Sequence, residues 1–300
     1  MWFPLALLAL LCWSGSDLFS KIGSRPEDKL SHWKMVMTVG TVMGLHALFD
    51  IFVNKVPIDI SVFITYLPAS LLYIFAMVLG YVGLRYIQLS VSSPICNSSG
   101  AVASLLCFIF LDQRLDMLQT VGVILVCIGV VGLGIVERLV DDETRLLRQQ
   151  RENLKYEKSA IALLFPLLYC FIDAAGTLAD SMILEKLGEG SANSANIAYE
   201  LTFLLMAVAA FIYVCLIKKE RFIFRQEKPK MIAAVFETAG QFAYIFAIAA
   251  NTIAAAPVIS AYCMMSVIWS RIFLKEKLSL RHYLAITITV AGIVLLGFGE

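Results

Sequence analysis

The sequence predicts an all-α integral membrane protein of ten transmembrane helices arranged as a 5+5 inverted repeat, and three observations carry that prediction. Of its 300 residues 60% are hydrophobic and only 16% charged, with a mean hydropathy of +0.81. A globular chain is roughly half apolar and a quarter charged. Apolar runs of about 20 residues, enough to cross roughly 30 Å of hydrocarbon, recur from one end to the other and leave no room for a soluble domain. Finally, the phrase FIFLDQRLDM at 108–117 returns as RIFLKEKLSL at 271–280.

Span one, 2–20, begins MWFPLALLALLCWSG. It lacks a basic leader and further apolar segments follow closely, so it reads as a span kept in the protein rather than a signal peptide. Trp13 lies well inside it. Asp17 lies near its cytoplasmic end with Lys21 one turn on, the spacing of an ordinary ion pair. Span two, 33–54, carries Gly40 and Gly44 as GxxxG, a close-packing pattern. It also holds His46 and Asp50 at i, i+4, which permits a proton relay; one such pair is poor support for a metal site, and no metal is expected. Span three, 61–86, contains Tyr73 and Tyr81.

Span four, 90–111, starts SVSSPICNSSG. Pro94 removes a backbone donor, and Ser92, Ser93, Asn97, Ser98 and Ser99 can satisfy the freed carbonyls. Such a break marks binding sites and is equally a common kink. The glycosylation pattern at Asn97 is discounted, because it sits inside an apolar run. Span five, 117–136, closes a first repeat taken as 1–137. The one long polar insert, ERLVDDETRLLRQQRENLKYEK, has balanced charges and a weak apolar stripe at Leu146 and Leu147. It reads as a charged cytoplasmic surface helix, 138–158, joining the first repeat to a second at 159–300.

Span six, 159–184, aligns Tyr169, Asp173, Thr177 and Asp180 on one helical face, and span eight, 231–250, does the same with Glu237, Gln241 and Tyr244. Two polar stripes facing each other would line a wet cavity. An ionisable group in a span costs about 2.5–3.5 kcal/mol or more, so each asks for a reason. Asp173 and Glu237 lie several residues inside and read as substrate contacts or proton-coupling sites, or else as buried carboxyls holding helices together. Asp180, and Glu200 in span seven at 194–217, lie nearer the outer ends and within reach of water. Glu200, His46 and Asp50 complete the proton-coupling candidates. Span nine, 253–273, carries Pro257 and Tyr262, and span ten is 280–298. Candidate substrate contacts are therefore Asp173, Glu237, Gln241, Asn97 and Ser98 with the aromatic residues Trp13, Tyr81, Tyr244 and Tyr262, for which core packing is an equal account.

Sliding the first half onto the second by 163 positions pairs Tyr81 with Tyr244, Pro94 with Pro257, Leu115 with Leu278, Gly129 with Gly292, Gly134 with Gly297 and Glu137 with Glu300. Apolar matches are cheap in a membrane chain, but a coincident proline, glycines and a charged turn after IFL are not. Five spans per half is odd, so the second half enters the bilayer upside down, a plan that places substrate near the midplane between the halves. Of the 24 Lys and Arg, all but Lys55, Arg114 and Lys186 fall on loops after odd-numbered spans. The positive-inside rule then puts those loops in the cytoplasm and both termini outside.

The seven cysteines (12, 96, 107, 127, 170, 215 and 263) all lie in apolar runs without CxxC spacing; they read as small buried hydrophobes. A net charge of +1 gives no field for a nucleic-acid partner.

The duplicated IFLDQRL and IFLKEKL, the glycine-spaced closing spans VGVILVCIGVVGLG and AITITVAGIVLLGFG, and CWSGSDLFSK in span one together resemble the drug/metabolite transporter superfamily, in particular its ten-helix EamA-type members. The resemblance covers nearly the whole chain. It implies alternating access to a central cavity in a multi-pass protein of a prokaryotic cytoplasmic membrane, with no cofactor and no enzymatic activity; no GxxxxGK[ST] loop occurs.

No Lys or Arg lies deep in any span while several carboxylates do, which favours cations, zwitterions or neutral solutes over organic phosphates. The expected function is secondary transport of a small amine-bearing, zwitterionic or neutral metabolite, with protons as a coupling partner through Asp173 or Glu237. The expected partners are that substrate, the bilayer and, in a homodimer, a second copy. A flippase, or flippase subunit, for a lipid-linked substrate is the alternative. An intramembrane hydrolase is disfavoured, since Asp173 and Asp180 stand near two turns apart, too far to share a proton.

Overall fold

The structure, a computed structural model, describes residues 2–25, 28–57, 59–86, 89–111, 115–138, 160–188, 190–273 and 278–298. Residues 139–158 of the linker, and the charged turns at 112–114 and 274–277 with Arg114, Lys275 and Lys277, lie outside the described residues, as does Glu300. Among the described residues all regular structure is helical. The first half comprises α1 (Trp2–Gly23), α2 (Ser31–Phe52), α3 (Ile60–Tyr86), α4 (Leu89–Asn97), α5 (Ser99–Phe110) and α6 (Met117–Arg138). The second comprises α7 (Ala160–Leu187), α8 (Ala192–Phe211) with a π turn over Ile212–Ile217, α9 (Phe224–Ser260), α10 (Tyr262–Phe273) and α11 (Leu280–Phe298).

Among the described residues eight helical stretches are long and apolar enough to cross a membrane, and Leu280–Leu296 is a shorter apolar helix. The longest stretch, Phe224–Phe273, has 50 residues. At 1.5 Å per residue it would reach about 75 Å, more than twice the hydrocarbon thickness. It folds back at Asn251, whose φ of −164° and ψ of 88° leave the helical region, and so makes two crossings. Ten crossings result. Their outer surface carries Phe49, Phe75, Phe108, Phe171 and Leu205, all exposed; water would not tolerate so continuous an apolar face, and lipid does.

Crossings four and nine are each broken in the middle, at Ser98 and Ala261, positions again 163 apart. The Ser98 N–H is shared between the carbonyls of Pro94 at 3.1 Å and Ile95 at 3.3 Å. The Ala261 N–H is shared between those of Pro257 at 3.0 Å and Val258 at 3.2 Å. The irregularity expected at the prolines thus falls four residues later, where a shared amide tightens the helix before it resumes.

The helix pairings obey the repeat. Helix α1 packs on α9, α3 on α7, α2 on α8, α4 on α10 and α6 on α11. Exchanging each crossing with its repeat partner turns the first contact into the second and leaves the other three unchanged. At the α6–α11 seam a Cβ on Gly122 would lie 3.1 Å from the Gly292 carbonyl, and one on Gly129 would lie 2.9 Å from the Ala285 carbonyl. The GxxxG of α2 serves the α2–α8 seam: a Cβ on Gly40 would sit 2.2 Å from the Phe203 carbonyl, and one on Gly44 would sit 2.6 Å from Leu204. At Gly40 and Gly129 the facing backbone leaves no room for a side chain, and at Gly44 and Gly122 a neighbour would have to shift.

Candidate functional site

The helices enclose a central cavity of about 80 Å³, room for a compact solute or a small cluster of waters. It runs from mid-membrane toward Ser20, Leu84 and Leu89, near the face that carries the loops after odd-numbered crossings. Helix α7 contributes Tyr169, Asp173 and Thr177, and α9 contributes Glu237, Gln241 and Tyr244. Both polar stripes of the sequence therefore line one space, because residues three and four apart share a helical face. Helix α1 adds Trp13, Ser16 and Asp17; α3 adds Tyr73 and Tyr81; α4 adds Ser93, Cys96 and Asn97; Tyr199 and Tyr262 complete the aromatic wall.

Three carboxyl groups share this cavity, and none of the described lining residues is Lys or Arg. The Asp173 carboxylate accepts a hydrogen bond from Ser99 at 2.7 Å. Asp17 accepts from Ser93 at 2.5 Å and Ser266 at 2.8 Å. Glu237 has Ser16 as its hydrogen-bonding neighbour and lies within electrostatic range of Asp17 and Asp173. Neutral hydroxyls hold the carboxyls in place, and no described basic side chain of the lining neutralises them. Trp13 stacks at 5.1 Å on Tyr244 and edge-on at 5.9 Å on Tyr262, with its indole N–H donated to the Glu237 carbonyl at 3.3 Å. Gly240 makes room for that indole, since a Cβ there would lie 2.4 Å from it. Two polar groups of lining residues, the Tyr81 hydroxyl and the Gln241 side-chain amide nitrogen, are buried without a hydrogen-bond partner among the described residues. Buried polar groups are normally satisfied, and both residues belong to the cavity wall.

The family model for the EamA-like transporter family matches residues 1–135 and 160–298. The chain belongs to that family. It is a multi-pass membrane protein of the drug/metabolite transporter type. A solved crystal structure 14% identical to this EamA-like chain superimposes with a TM-score of 0.64, over 99% of this chain and 96% of the other; at that identity the likeness concerns the fold alone. No curated protein matches the chain.

The remaining expected site residues of this EamA-like protein are distributed differently. The Ser98 hydroxyl donates to the Pro94 carbonyl at 2.9 Å, and Ser98 is not among the lining residues. His46 lies at the α2–α8 seam, its Nδ1 at 2.9 Å from both oxygens of Glu200 and 4.0 Å from Asp50. Its closer partner is thus a carboxylate on another helix. Glu200 also accepts from Asn196 at 3.1 Å, and Asn54 donates to Asp50 at 2.6 Å. This group stands apart from the cavity lining.

Two expectations are corrected. Asp17, expected to pair with Lys21, instead lines the cavity and is held by serines, while Lys21 donates to the Leu84 carbonyl at 3.2 Å. Asp180 and Glu200, expected to reach water near the outer ends, are both fully buried. The Asp180 carboxylate accepts from the hydroxyls of Tyr66 at 2.5 Å, Tyr73 at 2.9 Å and Tyr244 at 3.0 Å. No local spacing signals a cluster whose members lie 64 to 114 positions apart.

Proposed function

We propose that this EamA-like protein moves a small amine-bearing, zwitterionic or neutral metabolite by alternating access, with Asp173 and Glu237 facing the substrate. The observation that carries the reading is one cavity lined by three carboxyls, a tyrosine and tryptophan wall, and no described basic residue. An ammonium group entering it relieves the mutual repulsion of the carboxyls and gains the faces of Trp13, Tyr244 and Tyr262. An organic phosphate would meet like charge and no guanidinium fork. Asp173 and Glu237 are also the groups through which a proton would be exchanged for substrate. The same reading puts the loops after odd-numbered crossings in the cytoplasm and both termini outside.

Current on solid-supported membranes carrying the purified protein tests this proposal. Amines or zwitterions are expected to evoke currents that Asp173→Asn and Glu237→Gln abolish. Currents driven only by organic phosphates would overturn the charge assignment. Electroneutral flux of lipid-linked sugars alone would favour a flippase.

A further inference from the structure

We propose that Asp180 and the three tyrosines that hold it form the gate between the central cavity and a second, wider vestibule on the opposite face of the membrane, and that solute passes through that point. The vestibule has a volume of about 850 Å³ and is walled by the ends of α7 and α8 and by the fold-back at Asn251. It opens on the face carrying Gly188, Gly190 and Ser191, away from Ser20 and Leu84 at the other end of the cavity.

The barrier between the two spaces is thin. On α7, Thr177 lines the cavity and Ser181 the vestibule; on α9, Tyr244 lines the cavity and Phe246 the vestibule. Four residues of helix span about 6 Å, and Asp180 lies within that interval on α7, bonded to Tyr244 at the edge of the cavity. Tyr66 reaches the same carboxylate from α3, which binds three helices at one level. Tyr73 and Tyr244 are themselves joined by a hydroxyl contact of 2.5 Å. On the vestibule side the latch is backed by Thr252 donating to Ser181 at 2.8 Å.

A buried carboxylate with three donors is a strong tie while intact, and it has no water to turn to when one donor leaves, so it closes and opens as a unit. A scaffold role between α3 and α7 does not account for its position, because those two helices are already packed through Gly80 against Tyr169 and Gly176 against Tyr73. Passage of a solute requires α3 or α9 to carry its tyrosine away from α7, joining cavity to vestibule.

The proposal rests on the transport reading, but its test needs no substrate. Cys96 lines the cavity. With the other six cysteines replaced, its rate of modification by a charged methanethiosulfonate reagent is measured from each face of oriented vesicles. Tyr66→Phe and Asp180→Asn are expected to raise the rate from the vestibule face about tenfold or more, the effect of losing one hydrogen bond to a charged group, and to leave the other face unchanged. A Ser181→Cys/Thr252→Cys pair, oxidised, is expected to cut vestibule-face labelling to background, with recovery on reduction; this variant keeps every latch residue. Unchanged rates in both latch variants, or equal increases from both faces, would overturn the gate. If amine currents persist meanwhile, the transport reading survives; face-selective labelling with neither current nor tracer flux of amine, zwitterionic or neutral solutes would instead sink that reading and leave the gate.

Discussion

Asp173 and Asp180 stand on one helix, on one face, seven residues apart, yet their surroundings assign them to different work. Asp173 has Ser99 and Tyr169 as its hydrogen-bonding neighbours and lines a cavity that also holds two polar groups without partners among the described residues. Asp180 is saturated by three tyrosine hydroxyls. On the proposed reading the first carboxyl meets what arrives and the second closes the protein. What would separate a binding site from a latch is then whether the carboxyl lines the cavity, as Asp173 does, or is enclosed by three tyrosines, as Asp180 is.

The largest effect that could break the contrast lies in transport. Asp173→Asn is expected to lower kcat/KM for a cationic substrate by roughly 30- to 1,000-fold, the cost of removing one partner of a desolvated charge pair; proteoliposome flux measures it. Next comes stability. Asp180→Leu strands the Tyr66 hydroxyl, while Tyr73 and Tyr244 keep each other, and is expected to cost about 2 kcal/mol, from three lost membrane hydrogen bonds at about 0.6 each and one unpaired buried donor. Asp173→Leu, which removes the partner of Ser99 and Tyr169 only, should shift thermal unfolding in detergent by less. Equal shifts would mean that both carboxyls are scaffold.

Two tyrosines sharpen the same point. Tyr66→Phe deletes a hydroxyl that donates at 2.5 Å, and about 1 kcal/mol of stability should go with it. Tyr81→Phe deletes a buried hydroxyl without a partner among the described residues; unfolding should be unchanged, and any loss should appear in substrate affinity.

The smallest effect belongs to a carboxyl outside the membrane. Burial acts to raise the pKa of Asp28, but the Lys34 ammonium at 2.8 Å and the Leu30 amide at 2.9 Å outweigh it, leaving the group below its ordinary 3.8. A lowered carboxyl stabilises the fold above its unfolded-state pKa, and that contribution fades as pH falls through the folded value. Asp28→Asn should therefore flatten the acid limb of a melting profile below about pH 4, by no more than about 1 kcal/mol.

Much of the architecture was legible because hydropathy and helical periodicity are local. The offset that pairs Pro94 with Pro257 also relates the breaks at Ser98 and Ala261, and the stripes through Asp173 and Glu237 do meet in one cavity. The partners of the carboxyls were not legible. Lys21, one turn from Asp17, was the only partner that spacing offered, whereas the structure supplies Ser93 and Ser266, 76 and 249 positions away. His46 likewise pairs with Glu200, 154 positions on, more closely than with Asp50 on its own helix. Serine and tyrosine in apolar runs look like filler until the fold brings them to a charge.

The seam between α6 and α11 is its own complement: Gly122 meets Gly292 as Ala285 meets Gly129, and the repeat exchanges one pair for the other. A surface of that kind needs no fused chain to exist. A five-span ancestor inserted in both orientations would already have owned this contact, as two identical molecules lying head to tail in one bilayer. Joining the genes would then have fixed the stoichiometry and freed each copy to specialise. An aspartate such as Asp180 could then become a latch on one side of the axis alone.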